Sequence, residues 1–160
     1  MERLECWWVG LHLITASPGF GVGYGQFPEH HYLTAHNSFI LTGAELGLVG
    51  LLLWSSILYI SLKIPIQALR ANLPPVARSW AIALLASTLG LVVGSVFLSY
   101  AYKDVLWLYV GLNGVLYQAI RRHDPEFRVR FGVRDFGIVA LADFGLLFAI
   151  AGYTGMKLGW

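Results

Sequence analysis

From Leu46 to Leu62 the chain carries no charged residue, with Glu45 bounding the run on one side and Lys63 on the other. A segment of this kind restricts the fold more than any other feature. In hydrocarbon the backbone has no water to pair with and must close its hydrogen bonds within a helix or a barrel. This first segment extends back to about Phe39, and similar segments run from about Trp80 to Ala101, Val105 to Ile120 and Phe136 to Leu158. Since about 20 apolar residues cross a bilayer, the sequence predicts an all-α, polytopic integral membrane protein with four transmembrane helices, at about 39–62, 80–101, 105–120 and 136–158, the third of them short. Composition agrees, with 57% hydrophobic and 12% charged residues and a mean hydropathy of +0.63, where soluble domains carry about twice that share of charge. The formal charge of +2 is too small for a nucleic-acid surface, so no nucleic-acid partner is expected.

Ahead of these segments, "CWWVGLHLITA" is too short to span and is stopped by Pro18-Gly19. Trp7 and Trp8 suit an interfacial helix at headgroup level. A signal peptide is the competing reading, disfavoured because Glu2 and Glu5 spoil its basic start. Orientation follows from lysine and arginine placement. Lys63, Arg70 and Arg78 follow the first helix, and Arg121, Arg122, Arg128, Arg130 and Arg134 follow the third, so both connections are expected in the cytoplasm, in contact with membrane lipid. The link "YKD" and the stretch Gly19 to Asn37 then face the other side, the periplasm of a bacterium. The chain accordingly divides into residues 1–37, a periplasmic interfacial helix and Gly/His loop, and residues 38–160, the transmembrane region.

Small residues mark close helix approach in membranes. Gly43, Gly47 and Gly50 form one such face, and Ala86, Gly90 and Gly94 another, and the two are expected to meet. The glycines of "GFGVGYG" do not satisfy G-x-G-x-x-G and lack the lysine of a phosphate loop. They allow either a tight turn whose amides approach a ligand or helix, or a flexible connection. Glu29, His30, His31 and His36 resemble a metal cluster, but the five-residue spacing of His31 and His36 does not place them on one helical face. Cys6 permits no internal disulfide and reads as packing.

His36 stands where polar loop becomes helix, followed by the good capping residues Asn37 and Ser38. A histidine on a rigid element in contact with water meets the requirements of a general base, and equally those of a wet histidine beside a cap. Glu45 follows about 13 Å further along a helix. A carboxylate at that depth is either functional or paired to another helix, and the same holds for Asp143 in the last segment.

These residues carry a resemblance. "PGFGVGYGQF" followed by "AHNSFILTGAELGLVGLLLW" is similar to the O-antigen ligase and polymerase family of bacterial inner-membrane enzymes, with its Pro-x-x-Gly-x-Gly loop, its His-Asn at the end of a periplasmic loop, and Glu-x-Gly-x-x-Gly in the next helix. Arg3 and Trp7 resemble the family's Arg-x-x-x-Trp, and "FLSYAYKDVLWLYVGL" its penultimate region. The likeness covers roughly Arg3 to Trp54. It implies that the chain corresponds to the C-terminal part of such an enzyme, whose N-terminal half would be a partner. The implied reaction moves glycan from undecaprenyl pyrophosphate to lipid A core, protein or another glycan, with no metal and no nucleotide-sugar cofactor. Under that likeness His36 activates the acceptor hydroxyl or stabilises the departing pyrophosphate, and Arg3 holds the diphosphate. Asn37 and Glu45 orient His36 or bind sugar hydroxyls, and the loop with Gly21 and Gly23 borders the donor. A non-catalytic membrane subunit or remnant, and third a proton-coupled transporter using Glu45 and Asp143, are the alternative functions.

Overall fold

The computed structural model describes residues 2–158, which form six helices and no strand: α1 (Glu2–Ala16), α2 (Phe27–His30), α3 (Ser38–Arg70), α4 (Pro75–Ser95), α5 (Asp104–His123) and α6 (Val133–Leu158). Helix α3 is the axis around which the others pack. It starts at Asn37, whose Oδ1 accepts from the amides of Phe39 and Ile40 at 2.9 and 3.0 Å and so satisfies two of the orphan donors of a helix start. It continues past Lys63 and through Pro65 to Arg70, eight residues beyond the charge-free run, giving a length of about 50 Å.

That length is not one continuous rod. At Gly47 the backbone adopts φ 68° and ψ −174°, a conformation essentially confined to glycine, and the helix is interrupted there. The two halves are called α3a (38–46) and α3b (48–70). The break falls within two residues of Leu46, where the sequence places the start of the uninterrupted apolar run.

Helix α1 lies alongside α3a, with Gly10 against Ile40, Ile14 against Gly43, and the Pro18 carbonyl accepting from the Leu48 amide at 2.8 Å. Helices α4 and α6 run antiparallel to α3, and α5 runs parallel to it. At the His36 end, Leu13, Ile14, Ile40, Leu51, Leu147 and Ile150 belong to one buried apolar cluster. At the arginine-rich end, Ile64, Ala68, Ala81, Leu84, Leu116 and Ile120 belong to a second. The start of α6 is tied to α3 there by Lys63 and Tyr59, both of which donate to Asp135.

Among the described residues, α3, α4 and α6 are long and apolar enough to cross a membrane. Helix α5, the short third span of the sequence reading, is more polar, yet it runs the length of the bundle from Leu106 in the first cluster to Ile120 in the second. The Nδ2 of its buried Asn113 donates to Thr88 Oγ1 and the Tyr109 carbonyl, each at 2.8 Å. Helix α4 ends at Ser95, earlier than the apolar run, because residues 96–103 turn over the start of α3. The Ser38 hydroxyl donates to the Leu98 carbonyl at 2.6 Å and accepts from the Tyr100 amide at 2.7 Å.

The expected meeting of two small-residue faces does not occur. Helices α3 and α4 pack together, but Gly43 faces Ile14 of α1, Gly47 faces Gly19, and a side chain at Gly90 would meet nothing within 4 Å. Gly43 and Gly47 admit the N-terminal helix and loop instead, while Gly50 faces Leu46 of α3 itself.

Candidate functional site

The interruption of α3 is filled by the glycine loop. After α1 the chain turns at Pro18-Gly19 and passes back along α3a, pairing its backbone with the groups that the break releases. The Leu48 and Val49 amides donate to the Pro18 and Gly19 carbonyls at 2.8 and 3.4 Å. On the other side of the gap, the Val22 and Gly23 amides donate to the Ala44 and Glu45 carbonyls, both at 2.9 Å. A broken helix at membrane depth is tolerated only where other groups satisfy its backbone, and here four loop residues do so. Contact is close enough to demand glycine. A Cβ on Gly21, at φ 71°, would sit 2.4 Å from the Glu45 backbone carbon, and one on Gly47 would sit 2.2 Å from the Gly19 oxygen. Of the two loop readings left open by the sequence, the tight turn against a helix is the one observed.

Glu45 occupies the centre of this arrangement. It is 2% exposed, and its Oε1 accepts from the Phe27 amide at the start of α2 at 3.1 Å. Its Oε2 is buried without a partner. Thr42, one turn earlier on the same face, and Tyr102 in the α4–α5 link bring buried hydroxyls to the same place, where Tyr102 interacts with both Glu45 and Thr42. The Tyr102 phenol is held well above its ordinary range, first by burial and next by the charge of the adjacent Glu45. Tyr24 packs edge-on against the Tyr102 ring, with centroids 4.7 Å apart, and is otherwise exposed.

His36 sits one residue before the α3 cap, half-buried, at φ 50°. It is the one non-glycine residue with positive φ among those described. Its neighbours Ala35 and Asn37 are both 0% exposed, and they fix the backbone on either side. Left-handed backbone in a non-glycine residue persists only where surroundings impose it.

The structure thus brings Gly21, Gly23 and Glu45 together, and places Asn37 and His36 at the head of the same half-helix. The Asn37 Oδ1 is committed to capping, while its Nδ2 is buried and unpartnered. Arg3 is exposed in the first turn of α1 and forms no ion pair with a described residue. His31 turns toward α1, its Nδ1 accepting from the Leu33 amide at 3.1 Å and lying 3.6 Å from the buried Cys6 Sγ. Among the described residues no three His, Cys, Asp or Glu side chains group as a metal site. Thr42, Tyr24 and Tyr102 escaped sequence reasoning. The i, i+3 spacing of Thr42 and Glu45 was a usable signal, but nothing local announces that Tyr102 returns from the far side of α4.

Residues 1–55 match the family described as O-antigen ligase. The matched segment takes in α1, the glycine loop, α2 and α3 as far as Ser55, and so includes the loop and the α2 start that meet at Glu45. The family is membrane-bound, in keeping with the apolar helices. No curated protein and no solved structure matches the chain.

Proposed function

We propose that the chain serves an O-antigen ligase- or polymerase-like glycan transfer at the periplasmic face of a bacterial inner membrane. The donor is a glycan on undecaprenyl pyrophosphate, and the acceptor is a hydroxyl of lipid A core, protein or another glycan. The acceptor oxygen attacks the anomeric carbon, the bond from that carbon to the diphosphate breaks, and the diphosphate leaves on its lipid carrier. The carrier diphosphate is already a good leaving group, so the protein supplies a positioned base and charge neutralisation.

His36 takes the acceptor proton, and Arg3, a permanent cation with a planar donor fork, holds the diphosphate. Asn37 presents its Nδ2 toward substrate or toward His36. Glu45 binds sugar hydroxyls, with Gly21 and Gly23 bordering the site.

The observation that carries this reading is that the segment matching the O-antigen ligase family holds the one non-glycine residue with left-handed backbone among those described, and that residue is the histidine. The test is His36→Asn in the intact gene, because asparagine tolerates the left-handed backbone but cannot serve as the base. Surface polysaccharide is expected to lose the transferred glycan while the protein stays at its normal membrane level. Retained transfer would remove His36 from the chemistry.

A further inference from the structure

Three polar atoms beside the helix break have unused hydrogen-bonding capacity in one place. They are Oε2 of Glu45, the hydroxyl of Thr42 and the hydroxyl of Tyr102, all buried; the Tyr102 hydroxyl interacts with the other two, and none of the three atoms is hydrogen-bonded to a group outside the trio. Between them the three oxygens have two hydrogens to donate and several more lone pairs than those can fill, so the trio has room for further donors from outside the chain. The chemistry of the three narrows that partner. A diphosphate is repelled by the carboxylate. A metal ion would want the nearby Ala44 and Glu45 carbonyls, which the Val22 and Gly23 amides already occupy. A carboxylate flanked by two hydroxyls suits a polyol, which donates to the first and exchanges donors and acceptors with the others.

The roof of the cluster has the matching property. Tyr24 rests on the Tyr102 ring, is 67% exposed, and lies between Gly23 and Gly25, at φ 109° and 73°. A Cβ on Gly25 would meet nothing within 4 Å, so this side of the tip has room to move. An exposed aromatic ring is also a face on which the C–H side of a sugar packs.

We propose that Thr42, Glu45 and Tyr102 form a subsite for neighbouring hydroxyls of a sugar ring, covered by Tyr24, which swings aside to admit the ring. The proposal rests on the glycan-transfer reading above and extends it to Thr42, Tyr102 and Tyr24.

The test uses the full chain in lipid nanodiscs with two probes, a polyprenyl diphosphate bearing a disaccharide and the same diphosphate without sugar. Wild type is expected to bind the sugar-bearing probe about tenfold more tightly, the difference contributed by one or two buried hydrogen bonds. Tyr102→Phe and Thr42→Val should erase that difference and leave binding of the bare diphosphate unchanged. Each substitution removes only a link inside the trio, so the thermal midpoint should change little. Loss of the folded protein, or a midpoint lowered by about ten degrees or more in both variants, would show that the hydroxyls serve the fold alone and would overturn the subsite. Equal binding of both probes by wild type would also overturn the subsite, while leaving the transferase reading standing. Binding of neither probe would overturn both.

Discussion

Replacing Gly47 by alanine perturbs the structure at the point where α3 is interrupted. At φ 68° and ψ −174° an alanine costs about 1–3 kcal/mol in backbone strain. The new Cβ would lie 2.2 Å from the Gly19 oxygen, 2.4 Å from its carbon and 2.6 Å from the Phe20 nitrogen. All three are backbone atoms, so no side-chain rotation relieves the clash and the loop must withdraw. Withdrawal breaks the hydrogen bonds from Leu48 and Val49 to Pro18 and Gly19, at about 1 kcal/mol each. The total of about 3–5 kcal/mol is a large part of the stability of an ordinary domain. Thermal unfolding in nanodiscs, followed by circular dichroism, measures it against a control in the same bundle. Gly90→Ala adds a methyl in helical backbone with nothing within 4 Å, and should be neutral or stabilising by about 0.5–1 kcal/mol. A Gly47→Ala protein that melts with wild type would refute the seated loop.

Asn37→Ala removes the cap of α3 and should cost about 1 kcal/mol in the same assay, with Asn37→Ser recovering most of it. Cys6 is fully buried and its thiol is pushed up by that burial, so the reactive thiolate is scarce; maleimide labelling near neutral pH should be slow in the folded protein and rapid after denaturation. Lys63→Met and Asp135→Asn, made singly and together, should show a coupling of about 1 kcal/mol, since the pair is partly buried and shared with Tyr59.

Helix identity was legible because long charge-free runs leave the backbone few options, and the histidine loop's place at the head of α3 followed from Asn37 and Ser38. The ends of the helices were less legible. Lys63 reads as a stop, yet its chain reaches Asp135 and the Arg130 carbonyl, and the helix continues beneath it. The glycines of α3 were visible but their partners were not. A G-x-x-x-G spacing says that something approaches closely without saying what, and the approaching element is an irregular loop whose backbone pairing leaves no side-chain pattern. Glu45 stood out as a charge at the edge of an apolar run. Tyr102 did not, because its contact with Glu45 depends on how far α4 travels before the chain turns back.

The central claim is that a glycine-rich loop, a flexible tether by composition, is fixed by hydrogen bonds inside a broken helix. Amide hydrogen exchange resolved to Val22 and Gly23 tests it most directly, because their donors go to the Ala44 and Glu45 carbonyls. Protection comparable to that of the flanking α3 amides is the predicted result. Exchange at the rate of an unstructured peptide at both positions would contradict it.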